Sequence, residues 1–135
     1  MSTITTRQAK GSPLTNTEVD NNFTNLNTDK LELVVNGTTS SATITPASTD
    51  TQYNVTALAT NATIAAPSGS PVNGQKVIIR IKDDGTSRTL SWNAIYRALG
   101  VTIPTATTIS KTLYVGIVYH AVDVKWDVIA VAEEA

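Results

Sequence analysis

Apolar and polar positions follow two different rhythms along this chain. Up to Leu33 the apolar residues keep helical spacing: Val19, Phe23, Leu26 and Leu33 fall on one stripe, and Lys30 occupies the remaining slot. That is the spacing of a coiled-coil seam interrupted by one lysine. The start of the helix is specified locally. Thr15 and Glu18 have the separation of a capping box, and Leu14 and Val19 stand at the two positions of a hydrophobic staple. The pattern predicts a helix over residues 15–33. Barely two heptads cannot hold a coiled coil alone, so two readings of the stripe stay open: self-association or docking on a partner, and a lone amphipathic helix lying on its own domain. Ahead of it, residues 1–13 have a Gly-Ser-Pro break and no periodicity, which predicts an arm that is extended or disordered unless a partner orders it.

From Leu31 the rhythm changes to that of strands. LELVV and TTSSATITP are separated by Asn36-Gly37, read as a turn, and Pro46 closes the second run or places it at an edge. TQYNVTALA and ATIAAP predict two further short strands, followed by a loop from Pro67 to Pro71 and a turn at Asn73-Gly74. In KVIIRIKDDGTSRTLSW, Val77, Ile79 and Ile81 alternate against Ile78, Arg80 and Lys82, and Asp84-Gly85 marks a hairpin turn. A second hairpin sets Leu113, Val115, Ile117 and Tyr119 against KWDVIAVA, where Trp126, Val128 and Ala130 share a face, around a turn near His120 to Asp123. WNAIYRALGVTIP, between the hairpins, reads as loop because Gly100 and Pro104 stop any helix begun at Ala94. The fold expected is mainly β: a small antiparallel β-sandwich or barrel-like domain over residues 35–135, preceded over residues 1–34 by an extended arm and one short helix.

Composition narrows the function classes. The 135 residues fit one domain and a short appendage. With a formal net charge of -1 and scattered Lys and Arg there is no basic stripe to neutralise phosphates, so nucleic acid is not an expected partner. The absence of cysteine removes disulfides and thiolate metal sites. No apolar core region follows Arg7 and Lys10, and no long apolar run occurs, so neither a signal peptide nor membrane insertion is expected.

Candidate chemistry is sparse. The single histidine, His120, falls in a predicted turn, where an exposed imidazole is the commoner outcome than a catalytic one. Asp83 and Asp84 precede Gly85 as a hairpin turn requires, and Asp123 and Asp127 are expected on a solvated strand edge, although a carboxylate pair for polysaccharide cleavage was the enzymatic alternative. Trp92, Tyr96 and Arg97 lie together and could stack on and hydrogen-bond a host surface glycan, against the plainer reading that Trp92 fills the core. The sequons at Asn36, Asn54 and Asn61 are by-products of a Thr-rich composition. With no phosphate-binding, dinucleotide or metal motif, no catalytic residues, cofactor or metal are expected.

KGSPLTNTEVDNNFTNLNTDKLEL, from Lys10 to Leu33, resembles the opening segment of many phage tail-fibre and other virion-surface proteins, and residues 73–130 resemble a small β module found in phage structural proteins. The resemblance implies a virion protein fixed by its N-terminal segment to phage capsid or tail proteins, commonly as a homotrimer, with the β module outward and no catalytic residues. The docking and oligomerisation contacts then fall to Leu14, Val19, Phe23, Leu26 and Leu33. A short chain without a repetitive shaft points to a capsid decoration, head-fibre or short tail-fibre subunit, with a host-glycan receptor-binding module as the alternative.

Overall fold

A computed structural model describes residues 3–29 and 33–135 and divides the chain into two compact units, Met1–Glu32 and Leu33–Ala135. The Lys30 slot of the apolar stripe and the onset of the strand pattern at Leu31 lie outside the described residues.

Among its described residues the first unit holds two helices rather than one. The short α1 (Arg7–Lys10) begins at Thr6, whose hydroxyl accepts from the Ala9 N–H at 3.2 Å, and ends at Gly11 with φ of 72°. That left-handed conformation suits glycine and stops the helix. The expectation of an extended arm is therefore corrected over residues 7–10, which are helical. The reason lies in the polar face of α2 (Asn16–Asp29), whose asparagines hold the arm's backbone. The Thr5 N–H donates to Asn22 Oδ1 at 2.8 Å, Asn22 Nδ2 donates to the Thr5 carbonyl at 2.8 Å, and Asn25 Nδ2 donates to the Thr3 carbonyl at 2.7 Å. Amides that carry both donors and acceptors satisfy a strand-like backbone that has no sheet to join. Helix α2 stops short of the expected end at Leu33, which lies in irregular backbone.

The second unit is built from nine strands: β1 (Val35–Thr38), β2 (Thr43–Ile44), β3 (Gln52–Leu58), β4 (Ala62–Ile64), β5 (Lys76–Asp83), β6 (Leu90–Trp92), β7 (Tyr96–Ala98), β8 (Thr112–His120) and β9 (Lys125–Glu133). A six-stranded sheet runs β1-β3-β5-β8-β9-β7 and a three-stranded sheet runs β2-β4-β6. The chain changes sheet after β1, β3 and β5, so it coils three times, each coil lying parallel to the one before. Val35 pairs with Gln52 and Gln52 with Ile78, while on the other sheet Thr43 pairs with Thr63 and Thr63 with Ser91.

This arrangement corrects the antiparallel expectation: the large sheet is mixed and the small one parallel, and among the nine strands only β5-β8-β9 pair antiparallel, apart from an isolated antiparallel bridge between Thr89 and Ala106. Asn36-Gly37 is no turn but the middle of β1. The residues around Asp84-Gly85 do turn, yet they carry the chain to the other sheet instead of closing a hairpin. A local turn signal specifies a change of direction and leaves the partner strand undetermined.

One core serves both sheets. Ile44, Ile64 and Leu90 of the small sheet share it with Val55, Val77, Ile79, Ile81, Val115, Ile117, Trp126 and Val128 of the large one. These β-branched and aromatic side chains sit on alternate positions, the condition for a half-buried pleated surface. The β8–β9 hairpin forms as expected, with a register shift between Gly116 and Ile117. The shift pairs Gly116 with Ala130 and Ile117 with Val128, reverses the phase of β9, and turns Ala130 outward, where the sequence pattern placed it on the core face. Tyr96–Ala98, expected to be loop, is β7 and lies parallel to β9.

Candidate functional site

Helix α2 presents the expected candidates. Its capping box is closed in both directions: the Glu18 N–H donates to Thr15 Oγ1 at 3.2 Å, and Glu18 Oε2 accepts from the Thr15 N–H at 2.7 Å. Lys10, at the end of α1, donates to the same carboxylate oxygen. The Lys10 ammonium first, and then the Thr15 N–H and hydroxyl, hold the Glu18 carboxyl down at about 2 against the opposing effect of desolvation. The arm and the start of α2 are thus tied together through one charge.

From this fixed start the apolar stripe points into solvent. Phe23 is 69% exposed and Leu26 57%, Val19 is partly exposed, and Leu14 is half-buried. Leu33, in the second unit, is 78% exposed. Phe23 and Leu26 are large apolar groups left in water, each forgoing about 1.5–3 kcal/mol of burial. The Asn22 and Asn25 side chains that clasp the arm were not singled out by sequence. A run of Asn between apolar positions was the available signal, since an amide on a helix flank can pair with passing backbone.

Trp92 and Tyr96 are brought together, whereas Arg97, the next residue of β7, lies on the opposite face of the strand, and the polar ends of all three are committed inside the chain. Tyr96 is buried, its hydroxyl donates to the Ala65 carbonyl at 2.8 Å, and burial pushes its pKa up. The Trp92 ring meets it edge to face at 5.2 Å and 86°, and Trp92 Nε1 donates to the Pro104 carbonyl at 2.7 Å. Arg97 Nε donates to Asp127 Oδ1 at 2.7 Å and Nη2 to Oδ2 at 3.1 Å, while Nη1 reaches Asp123 Oδ2 at 2.7 Å. Asp127 is therefore buried and paired rather than on a solvated edge, because β7 sets Arg97 directly opposite it.

The remaining candidates are structural in their contacts. Asp83 is buried at the end of β5 and accepts from the Thr107 hydroxyl and the Ser110 N–H at 2.8 Å each and from the Gly85 N–H at 3.0 Å. Burial opposes its ionisation, but those three donors and the nearby Arg88 prevail and lower its pKa. Asp84 receives both Arg88 Nη2 bonds. His120 Nδ1 lies 3.2 Å from Asp123 Oδ2. Among the described residues no group of three or more His, Cys, Asp or Glu could hold a metal ion, and no helix is long and apolar enough to cross a membrane.

No protein-family model, curated protein or solved structure matches this chain.

Proposed function

We propose that this chain is a non-catalytic structural subunit of a tailed-phage virion, a capsid decoration, head-fibre or short tail-fibre protein on the outer surface, attached and trimerised through residues 1–34. The observation that carries this reading is the exposed Val19-Phe23-Leu26 stripe on a helix whose start is fixed by the Thr15–Glu18 box. Large apolar groups aligned on a capped helix are suited to burial against another chain. The likeness of residues 10–33 to virion docking segments supports it from the sequence side. So does the separation of the helical unit from the β unit, which has a hydrophobic core of its own.

The test compares three proteins: the full chain, a form beginning at Val35, and the full chain carrying Phe23→Ser and Leu26→Ser. Native mass and binding to purified particles lacking the protein are measured for each. The full chain should be trimeric and bind; the other two should be monomeric and fail to bind while keeping the β-sheet circular dichroism. Equal binding by the form starting at Val35 would overturn the docking role.

A further inference from the structure

The side of the six-stranded sheet that faces away from the core carries a polar row. Gly37, Asn54, Arg80, Tyr114 and Ala132 are successive register partners across β1, β3, β5, β8 and β9, so their positions share one face. At one end of the row lies an open depression of about 310 Å³ lined by Val35, Gly37, Thr39, Asn54 and Thr56 together with neighbouring β1 residues. Its size is that of the smaller ligand sites, about 300 Å³ upward. Gly37 lets β1 approach β3 closely at this point: a Cβ there would stand 2.2 Å from the Asn54 carbonyl oxygen. The lining has hydroxyls, two amides and a valine, and no ionisable group.

The rest of the row has the complementary parts. Gln52 Nε2 donates to Asn54 Oδ1 at 2.6 Å, which orients the Asn54 amide nitrogen as a donor and leaves the Gln52 amide oxygen as an acceptor. Tyr114 is 40% exposed, and the Arg80 guanidinium lies over one face of its ring, 5.8 Å from the centre. In the adjoining row Gly116 and Ala130 are small and Ile78 is large and exposed. Arg80 Nε is buried and finds no acceptor among the described residues. From β1 to β8 the row crosses three strand spacings, about 14 Å.

We propose that this face binds a neutral saccharide chain, with one sugar seated over Gly37 and the next units crossing to the Arg80–Tyr114 pair. An uncharged lining of hydroxyls and amides matches sugar hydroxyls, and an exposed ring matches the apolar face of a pyranose. This site is separate from the docking stripe on α2 and from the Trp92-Tyr96-Arg97 cluster, whose polar groups are already spent.

The experiment uses the full chain labelled with 15N and titrated with maltotriose, cellotriose, mannotriose and triacetylchitotriose up to about 10 mM, a range that registers millimolar dissociation constants. At least one sugar should shift the Gly37, Asn54, Arg80 and Tyr114 amides saturably. Tyr114→Ala and Asn54→Ala should each weaken that binding about tenfold while the Ile79 and Val115 resonances stay in place. The proposal is overturned by no shift at these positions with any of the four sugars. It is equally overturned by undiminished binding in both variants, or by β1 shifts that follow protein concentration without sugar, which would mean that a second copy covers this edge.

Discussion

Arg97 and Asp127 face each other across the parallel strands β7 and β9, joined by two hydrogen bonds of 2.7 and 3.1 Å. The same guanidinium reaches Asp123 in the turn before β9, so one arginine ties an edge strand to the hairpin beside it. The forked geometry is the one in which arginine is not replaceable by lysine.

This pairing predicts an order among variants. Asp127→Ala should lower the thermal midpoint more than Asp123→Ala, because Asp127 is buried and binds two guanidinium nitrogens whereas Asp123 is exposed and binds one. Scanning calorimetry of the two variants checks the order, and equal midpoints would deny the bidentate pair its structural role.

Asp83 predicts a pH dependence. Its folded pKa lies below the ordinary aspartate value of 3.8, so the stability it contributes is present above that value and is lost as the pH falls through the folded pKa. Urea midpoints measured from pH 5 to pH 2, a range chosen to span the window set by that shift, should fall with acid more steeply in the natural protein than in Asp83→Asn. At neutral pH Asp83→Asn should cost about 1–3 kcal/mol, from the Ser110 N–H, Gly85 N–H or Thr107 hydroxyl that loses a charged acceptor.

Tyr96→Phe removes the hydroxyl that links β7 to Ala65, just beyond β4, and so a tie between the two sheets. The Ala65 carbonyl then loses a donor, and the cost should be about 1 kcal/mol, read from denaturant unfolding. No change would mean that water replaces the phenol.

Gly37→Ala should free β1 without unfolding the rest. The added Cβ would meet the Asn54 carbonyl at 2.2 Å, and β1 is an edge strand that contributes no residue to the buried core. Hydrogen exchange should show faster exchange at β1 and along the facing side of β3, with β5, β8 and β9 still protected.

Residues whose structure is decided by near neighbours were legible in the sequence. The Thr15–Glu18 box, the alternation of Val77, Ile79 and Ile81, and the β8–β9 hairpin all depend on contacts a few residues away or on period-two burial. The parallel coils were not legible, because alternation tells which residues face a core and says nothing about which strand lies beside them. Asn36-Gly37 shows the conflict: the dipeptide favours a turn, but the Asn36 side chain donates to Asp50 at 2.6 Å and Gly37 is needed for close approach to β3. Ala130 was misplaced because a single extra residue in β9 reverses its facing, an event no periodicity signals. At the candidate glycan cluster, Trp92 and Tyr96 do meet, but Arg97 lies on the other face of β7, and the partners that occupy the three come from Ala65, Pro104, Asp123 and Asp127.

The strand order has a consequence for the chain as it is made. Strand β9, which follows the other eight along the chain, lies between β8 and β7, and its Trp126 and Val128 belong to the core shared with the earliest coil. Until β9 has left the ribosome, the growing coils have neither their closing hairpin nor their largest buried side chain. Cooperative folding therefore waits for β9 to emerge, and a prematurely terminated product ending before Lys125 would expose Val115 and Ile117 to proteases instead of persisting as a partial subunit.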